Sequence, residues 1–303
     1  MHRFHLLFLF LIAFCGLSLA DEQAAWTVPV KARFSKSATD RRLVDKDAEL
    51  ILNDSARKLT VKNDQHPLEL SYDQVQRIIF DVSTRMRGGA MSQVVGGVAG
   101  AAIASKHVSH YWCYIEARLP DGSLRSYMVE IAQDWSPKVI QKMQDLFAEK
   151  VTVADFPEHE EKIEKDTLKD LQSKHDHKVD QKNHPSPEIK PDKALIVVVC
   201  PPLAARFEGM GYQNKLHAND QLVAINRMGT YSFAYLDPGE YLLAAQTENA
   251  SGFRMKLEAG KDYYFLQNVF MGAWKNRTTL SRHTKELVMY ELQGAYFSDW
   301  KRK

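Results

Sequence analysis

Two histidines one residue apart, His175-Asp176-His177, share a polar stretch with His159 and His184, and imidazoles are side chains that a zinc ion takes. Their setting argues against a site. The stretch runs into Pro185, Pro187 and Pro191, and a proline-bounded linker has no scaffold to fix tetrahedral geometry. Solvated histidines and no metal are expected. Cys113 supplies a thiol beside Trp112, with His110 three residues before it. Strand alternation sends Cys113 to one face and His110 to the other, so the two cannot readily share a proton and Cys113 is expected in a core. Linear nucleophile motifs are missing: there is no Gly-x-Ser-x-Gly and no His-Glu-x-x-His. No Lys-Ser/Thr follows the glycine-rich run at 88–104 with P-loop spacing. The expectation is a protein without catalytic residues and without a cofactor.

Two other stretches offer binding chemistry. Gly96, Gly100 and Ala104 repeat every four residues. A helix there would carry one face without bulk, open to another backbone. Membrane-dipping or self-association through 88–105 is one reading; packing within its own domain is the other, and the preferred one. The apolar part is shorter than a spanning helix needs. Trp274, in the sequence Met271-Gly272-Ala273-Trp274-Lys275-Asn276, is the best candidate for an exposed ligand contact. Tyr231, Phe233, Tyr235, Tyr241, Tyr263 and Trp300 could join it in a glycan-stacking surface, although aromatics at strand positions mostly pack. Arg57-Lys58 is a weak basic pair, and solvated loop charges are expected there.

These groups stand on a chain of 303 residues, suited to about two domains. Hydrophobic residues at 45% can fill cores, and a net charge of +2 gives no field that selects nucleic acid. The amino terminus has the layout of a secretory signal peptide: Arg3, an apolar run from Leu6 to Phe14, then small residues ending at Ala20 before Asp21-Glu22-Gln23. Cleavage after Ala20 is expected, which implies a periplasmic or secreted protein. Lipidation at Cys15 is the less favoured alternative, because bulky Phe14 precedes it.

From about 26 to 150 the sequence reads as strands followed by one helix. Asp47–Leu52 and Lys58–Lys62 flank the polar turn Asn53-Asp54-Ser55-Ala56-Arg57, and Arg77–Ser83 alternates. His110–Ile131 is a hairpin turning at Pro120-Asp121-Gly122. Tyr111, Cys113, Ile115, Ala117 and Leu119 share one face of it, while His110, Glu116 and Arg118 take the other. Ser136 as N-cap and Pro137 as first helical residue open a helix with Val139, Ile140, Met143, Leu146 and Phe147 on its apolar face. Antiparallel strands closed by one amphipathic helix resemble the pleckstrin-homology superfold. Leu68-Glu69-Leu70-Ser71-Tyr72-Asp73-Gln74-Val75 resembles its GRAM-like bacterial members. That resemblance implies a strongly bent sheet plugged at one end by the helix, with 88–105 as an insertion.

Residues 151–193 carry mixed charge and prolines and read as a linker. From 194 to 303 short strands return: the apolar Leu195–Cys200, then Leu222–Ile225, Tyr231–Leu236, Tyr241–Ala245, Phe253–Leu257, Tyr263–Leu266 and a last strand at Leu287–Leu292. They predict a small antiparallel sandwich, for a mainly β (α+β) chain overall. Gly229-Thr230-Tyr231-Ser232-Phe233, Asp237-Pro238-Gly239-Glu240-Tyr241 and Ala259-Gly260-Lys261-Asp262-Tyr263-Tyr264-Phe265 resemble the bacterial envelope domain-of-unknown-function family 2846. Many of its members carry export signals, and it has no established catalytic residues to carry over. Met228–Tyr231 is less regular than its turn. The function expected is a non-enzymatic envelope protein binding an envelope protein or cell-wall component; membrane association and an unrecognised hydrolase are the rivals.

Overall fold

A computed structural model of the chain describes residues 25–35, 43–65, 67–87, 106–158, 161–163, 168, 177–201, 213–247, 249–271 and 276–300. They form a mainly β molecule with antiparallel and mixed sheets and two α-helices.

The first lobe is built from β1 (Trp26–Ser35), β2 (Leu43–Asn53), β3 (Lys58–Lys62), β4 (Leu68–Ser71), β5 (Val75–Arg87), β6 (Lys106–Arg118) and β7 (Leu124–Ile131), followed by α1 (Ser136–Phe147) and β8 (Val151–Val153). Their sheet runs β4-β3-β2-β1-β7-β6-β5-β8. β1 pairs with β2 along its whole length and with β7 over Val30–Arg33. Turn chemistry fixes the two expected hairpins. Asn53 Oδ1 accepts from Ala56 N–H at 2.9 Å between β2 and β3. Gly122 takes φ +81 between β6 and β7, a backbone that residues with a Cβ rarely adopt. Val28, Leu50, Leu59, Ile78, Cys113, Ile115 and Ile131 form one core with Val139, Met143 and Phe147 of α1. Ser136 is the first residue of α1, not its N-cap; its Oγ donates back to the Gln133 carbonyl at 3.0 Å.

The second lobe has two sheets. One runs β10 (His177–Asp180), β19 (Tyr296–Trp300), β14 (Thr230–Leu236), β11 (Ala194–Cys200), β17 (Asp262–Met271), β18 (Asn276–His283). The other runs β13 (Gln221–Asn226), β12 (Asn214–Ala218), β15 (Gly239–Gln246), β16 (Ala250–Leu257), β9 (Glu161–Ile163). Ile196, Val198, Leu216, Leu243, Phe253, Phe265 and Leu280 pack between them.

Three expectations are corrected here. Pairing is not antiparallel throughout: β11 lies parallel to β17 and β14 parallel to β19. A continuous apolar run such as β11 shows that both faces are buried but not which way its neighbours point. Residues Leu287–Leu292 are not a strand. They lie in α2 (Lys285–Gln293), where Leu287, Val288, Tyr290 and Glu291 are buried at helical spacing and Thr284 caps the first turn by accepting from Leu287 N–H. The stretch 151–193, expected to be a charged linker, contributes β8, β9 and β10, one short strand to each sheet. Its Ile163 and Leu168 pack on Leu242, Ala244 and Ala250.

The lobes meet through the face of the first sheet opposite its α1-packed core. Alternation places Cys113 in the core, as expected, and turns Trp112 and Tyr114 outward. Trp112 and Tyr114 are buried there with Ile79 and Met128 against Leu195, Val197, Val199, Tyr264 and Leu266, while α2 adds Leu287, Val288 and Tyr290. Each large apolar side chain buried in this way is worth about 1.5–3 kcal/mol, against about 0–1 kcal/mol for an exposed ion pair. Apolar burial therefore holds the lobes together, and the polar contacts set their register.

Candidate functional site: a cleft at the seam between the lobes

The polar contacts of the seam concentrate on α2. Arg33 of β1 grips Asp45 in a fork, Nε to Oδ1 at 2.6 Å and Nη2 to Oδ2 at 2.8 Å, and its Nη1 pairs with the buried Glu291 of α2. Its guanidinium lies 4.1 Å over the Trp112 ring, and the Tyr290 hydroxyl donates to the Arg33 carbonyl. Burial works against the charge on Arg33, but the Glu291 and Asp45 carboxylates outweigh it and hold its pKa above the ordinary value. Arg77 of β5 adds a pair to Glu286 at 2.7 Å.

A second polar group spans the seam at the start of α2. Asp81 on β5 is almost fully buried and faces the end of β18. Asp81 Oδ1 lies 2.9 Å from His283 Nδ1. Asp81 Oδ2 accepts from the Thr284 N–H and hydroxyl, each at 2.8 Å. Two residues before His283, and so on the same face of β18, Ser281 Oγ lies 2.7 Å from His283 Nε2. Burial pushes the Asp81 carboxyl up, but His283 and the two Thr284 donors together bring it below the usual carboxylate range. An ionised Asp81 only accepts, so His283 donates from Nδ1. In the neutral imidazole this leaves Nε2 as acceptor for the Ser281 hydroxyl.

This row opens onto a cleft of about 390 Å³ where Asp81, Ser281, Phe156, Glu158, Arg282 and Phe253 are among the walls. Arg282 pairs with Glu158 and stacks over Phe156 at 5.0 Å and Tyr263 at 5.3 Å. Glu158 Oε2 is buried with no hydrogen-bond partner. The cleft thus combines a base with a hydroxyl, a spare carboxylate oxygen and apolar walls.

None of the described residues singled out from sequence lines this cleft. Gly96, Gly100, Ala104, Trp274, Cys15 and Ala20 fall outside the described residues, as do His159, His175 and Asp176. His184 is described and sits 6.2 Å from the Tyr296 ring. His110 pairs with Glu130 and stacks on Trp112 at 6.0 Å. Cys113 is buried in the first core, where burial pushes its thiol well up, and Cys200 is buried on β11, its Sγ accepting from Asn214 Nδ2 at 3.6 Å; neither forms a disulfide. Arg57 and Lys58 are exposed and paired with Asp73 and Glu69. Tyr231 and Tyr263 are buried; Tyr235 donates to the Glu188 carbonyl at 2.8 Å. Sequence reasoning missed Asp81, Ser281 and His283. The available signal was Ser281-Arg282-His283 in a strand-like run, which puts hydroxyl and imidazole side by side. Nothing local pointed to Asp81, some two hundred residues away.

Among the described residues, no three or more His, Cys, Asp and Glu side chains are grouped to hold a metal ion, and no helix is long and apolar enough to cross a membrane. No protein-family model and no curated protein matches the chain.

Proposed function

We propose that the chain is an exported protein of the bacterial envelope that binds protein or cell-wall material, with the seam cleft receiving a group of the ligand. The observation carrying this reading is the seam: two β lobes joined through a buried layer, with a cleft of about 390 Å³ where their edges meet. Ligand sites favour domain interfaces, and pockets for small molecules span about 300–1,000 Å³. Export follows from the leader-like residues ending at Ala20, with lipidation at Cys15 as the alternative. The reading calls for no cofactor and no nucleic acid.

The finer fold reading belongs to the same proposal. The first lobe is pleckstrin-homology-like, supported by the order β4-β3-β2-β1-β7-β6-β5, the double pairing of β1 and the helix that follows β7. The second is a sandwich resembling the envelope family, supported by its two facing sheets around one apolar layer.

The test is co-sedimentation of the full mature protein with purified peptidoglycan sacculi, and capture on an envelope membrane-protein fraction. Retention is expected on one of them. The Phe156→Ala/Arg282→Ala double variant should weaken it about tenfold or more, as hot-spot truncation does. No retention on either material, or retention indifferent to that variant, overturns the cleft reading.

A further inference from the structure

We propose that Ser281 is a nucleophile, and that Ser281, His283 and Asp81 form a hydrolytic row that cleaves a small ester in the seam cleft. This goes beyond binding, which asks for no chemistry from the cleft.

The argument is geometric. A serine hydroxyl becomes a useful nucleophile when a base accepts its proton at hydrogen-bond distance and a third group fixes that base. Ser281 Oγ to His283 Nε2 is 2.7 Å, and His283 Nδ1 to Asp81 Oδ1 is 2.9 Å. The tautomer is the required one, because Asp81 can only accept at Nδ1. Asp81 is itself fixed through its other oxygen by Thr284. The order of the three along the chain is immaterial, since such rows are recognised by geometry and role on unrelated folds. His283 is buried, whereas Ser281 is partly exposed and lines the cleft. The row therefore has an inner, dry end and an outer, reactive one.

The roles of the three residues in the fold separate them further. Asp81 and His283 brace the seam, and Asp81 also holds Thr284 at the start of α2. The Ser281 hydroxyl takes no part in that brace: its contact is with the far nitrogen of His283, at the cleft wall. Its placement is accounted for by chemistry, not by support.

The reaction balances with water as the only co-reactant. Ser281 Oγ attacks the ester carbonyl carbon as its proton passes to His283 Nε2. The carbon–oxygen bond to the leaving alcohol breaks, and His283 returns the proton to that oxygen. Water then attacks the acyl-serine, giving a proton to His283. The serine–acyl bond breaks, the proton returns to Oγ, and a carboxylic acid leaves. The walls define the substrate class. Glu158 neutralises Arg282, while Asp81 and Asp155 leave the cleft with negative charge. A neutral or cationic acyl group fits it better than an anionic one, and the volume suits a short one.

The full-length protein is treated with a fluorophosphonate ester and, separately, with p-nitrophenyl acetate as substrate. Intact mass and peptide mapping should show one phosphonyl group on Ser281. Ser281→Ala should lose the adduct and at least about 100-fold of the hydrolysis rate, the lower end for a base-assisted step. It should also keep the native unfolding midpoint, since its hydroxyl supports nothing else. Absence of an adduct at Ser281 in the folded protein, or equal hydrolysis by protein and variant, overturns the proposal and leaves the row as a brace. Neither readout depends on the envelope ligand, so this proposal and the binding reading fail separately.

Discussion

The two helices show two ways of fastening a helix to a sheet. α1 lies against the sheet that precedes it and contributes Val139, Met143 and Phe147 to a core with almost no charge in it. α2 lies in the seam, sets Leu287, Val288 and Tyr290 against apolar neighbours from both lobes, and places Glu291 beside Arg33. α1 is held to its sheet mainly by apolar contact, which is non-directional, with one partly exposed ion pair beside it, Lys142 to Asp54 at 2.6 Å. α2 carries more polar constraint, because the Arg33–Glu291 pair and the Asp81 acceptors each fit one placement. In this chain apolar burial supplies the adhesion, and buried charge specifies which surfaces meet.

The largest expected effect tests the charged side of that contrast. Arg33→Ala removes a guanidinium from two carboxylates, one of them buried, and should destabilise the protein by about 3–5 kcal/mol in urea unfolding. An Arg33→Met/Glu291→Leu double variant should recover much of this. If recovery is complete and the lobes still associate, charge is not needed to specify the seam. Met143→Ala comes next, at about 2–5 kcal/mol. Its cost should be unchanged between low and high salt, whereas the Arg33 lesion, being partly ionic, should respond. Thr284→Ala removes a helix cap and should cost about 0.5–2 kcal/mol, read in the same unfolding experiment.

The smallest effect near neutrality is the acid response of Asp81. Its folded pKa lies below the ordinary carboxylate value, so its stabilisation is complete above that value and is lost as pH falls through the folded pKa. Stability should be level towards neutral pH and drop below about pH 4, where the unfolded chain binds the proton more readily. The Asp81 share of that slope is at most about 1.4 kcal/mol per pH unit. Asp81→Asn should flatten it, and an unchanged acid limb would remove the linkage.

Local sequence signals translated into local structure. The β2/β3 and β6/β7 hairpins were legible because polar turn residues interrupt alternating runs, and α1 because five apolar residues recur at helical spacing beside a proline. α2 was read as a strand: Leu287-Val288-Met289-Tyr290 is a short apolar run whose period only the cap at Thr284 resolves. The parallel pairings were invisible because each partner lies far along the chain. The seam left one clue, since Ile79, Trp112, Tyr114 and Met128 are too bulky for a face meant for water. The row of Ser281, His283 and Asp81 was only half visible: β18 carries two of its members, and the third depends on how the lobes dock.

The parallel pairings also govern the sequence of assembly. β11 is made early in the second lobe, yet it rests beside β17, and β14 must wait for β19 near residue 300. β10 joins the sheet only through β19 as well. Long-range pairings of this kind slow folding, because loop closure comes before any contact rewards it. The central apolar strand Ala194–Cys200 can pair first with β14 and gains its second neighbour only with β17. A lobe whose sheet closes only when its final strand arrives must fold as a whole, since no early part of it is complete alone.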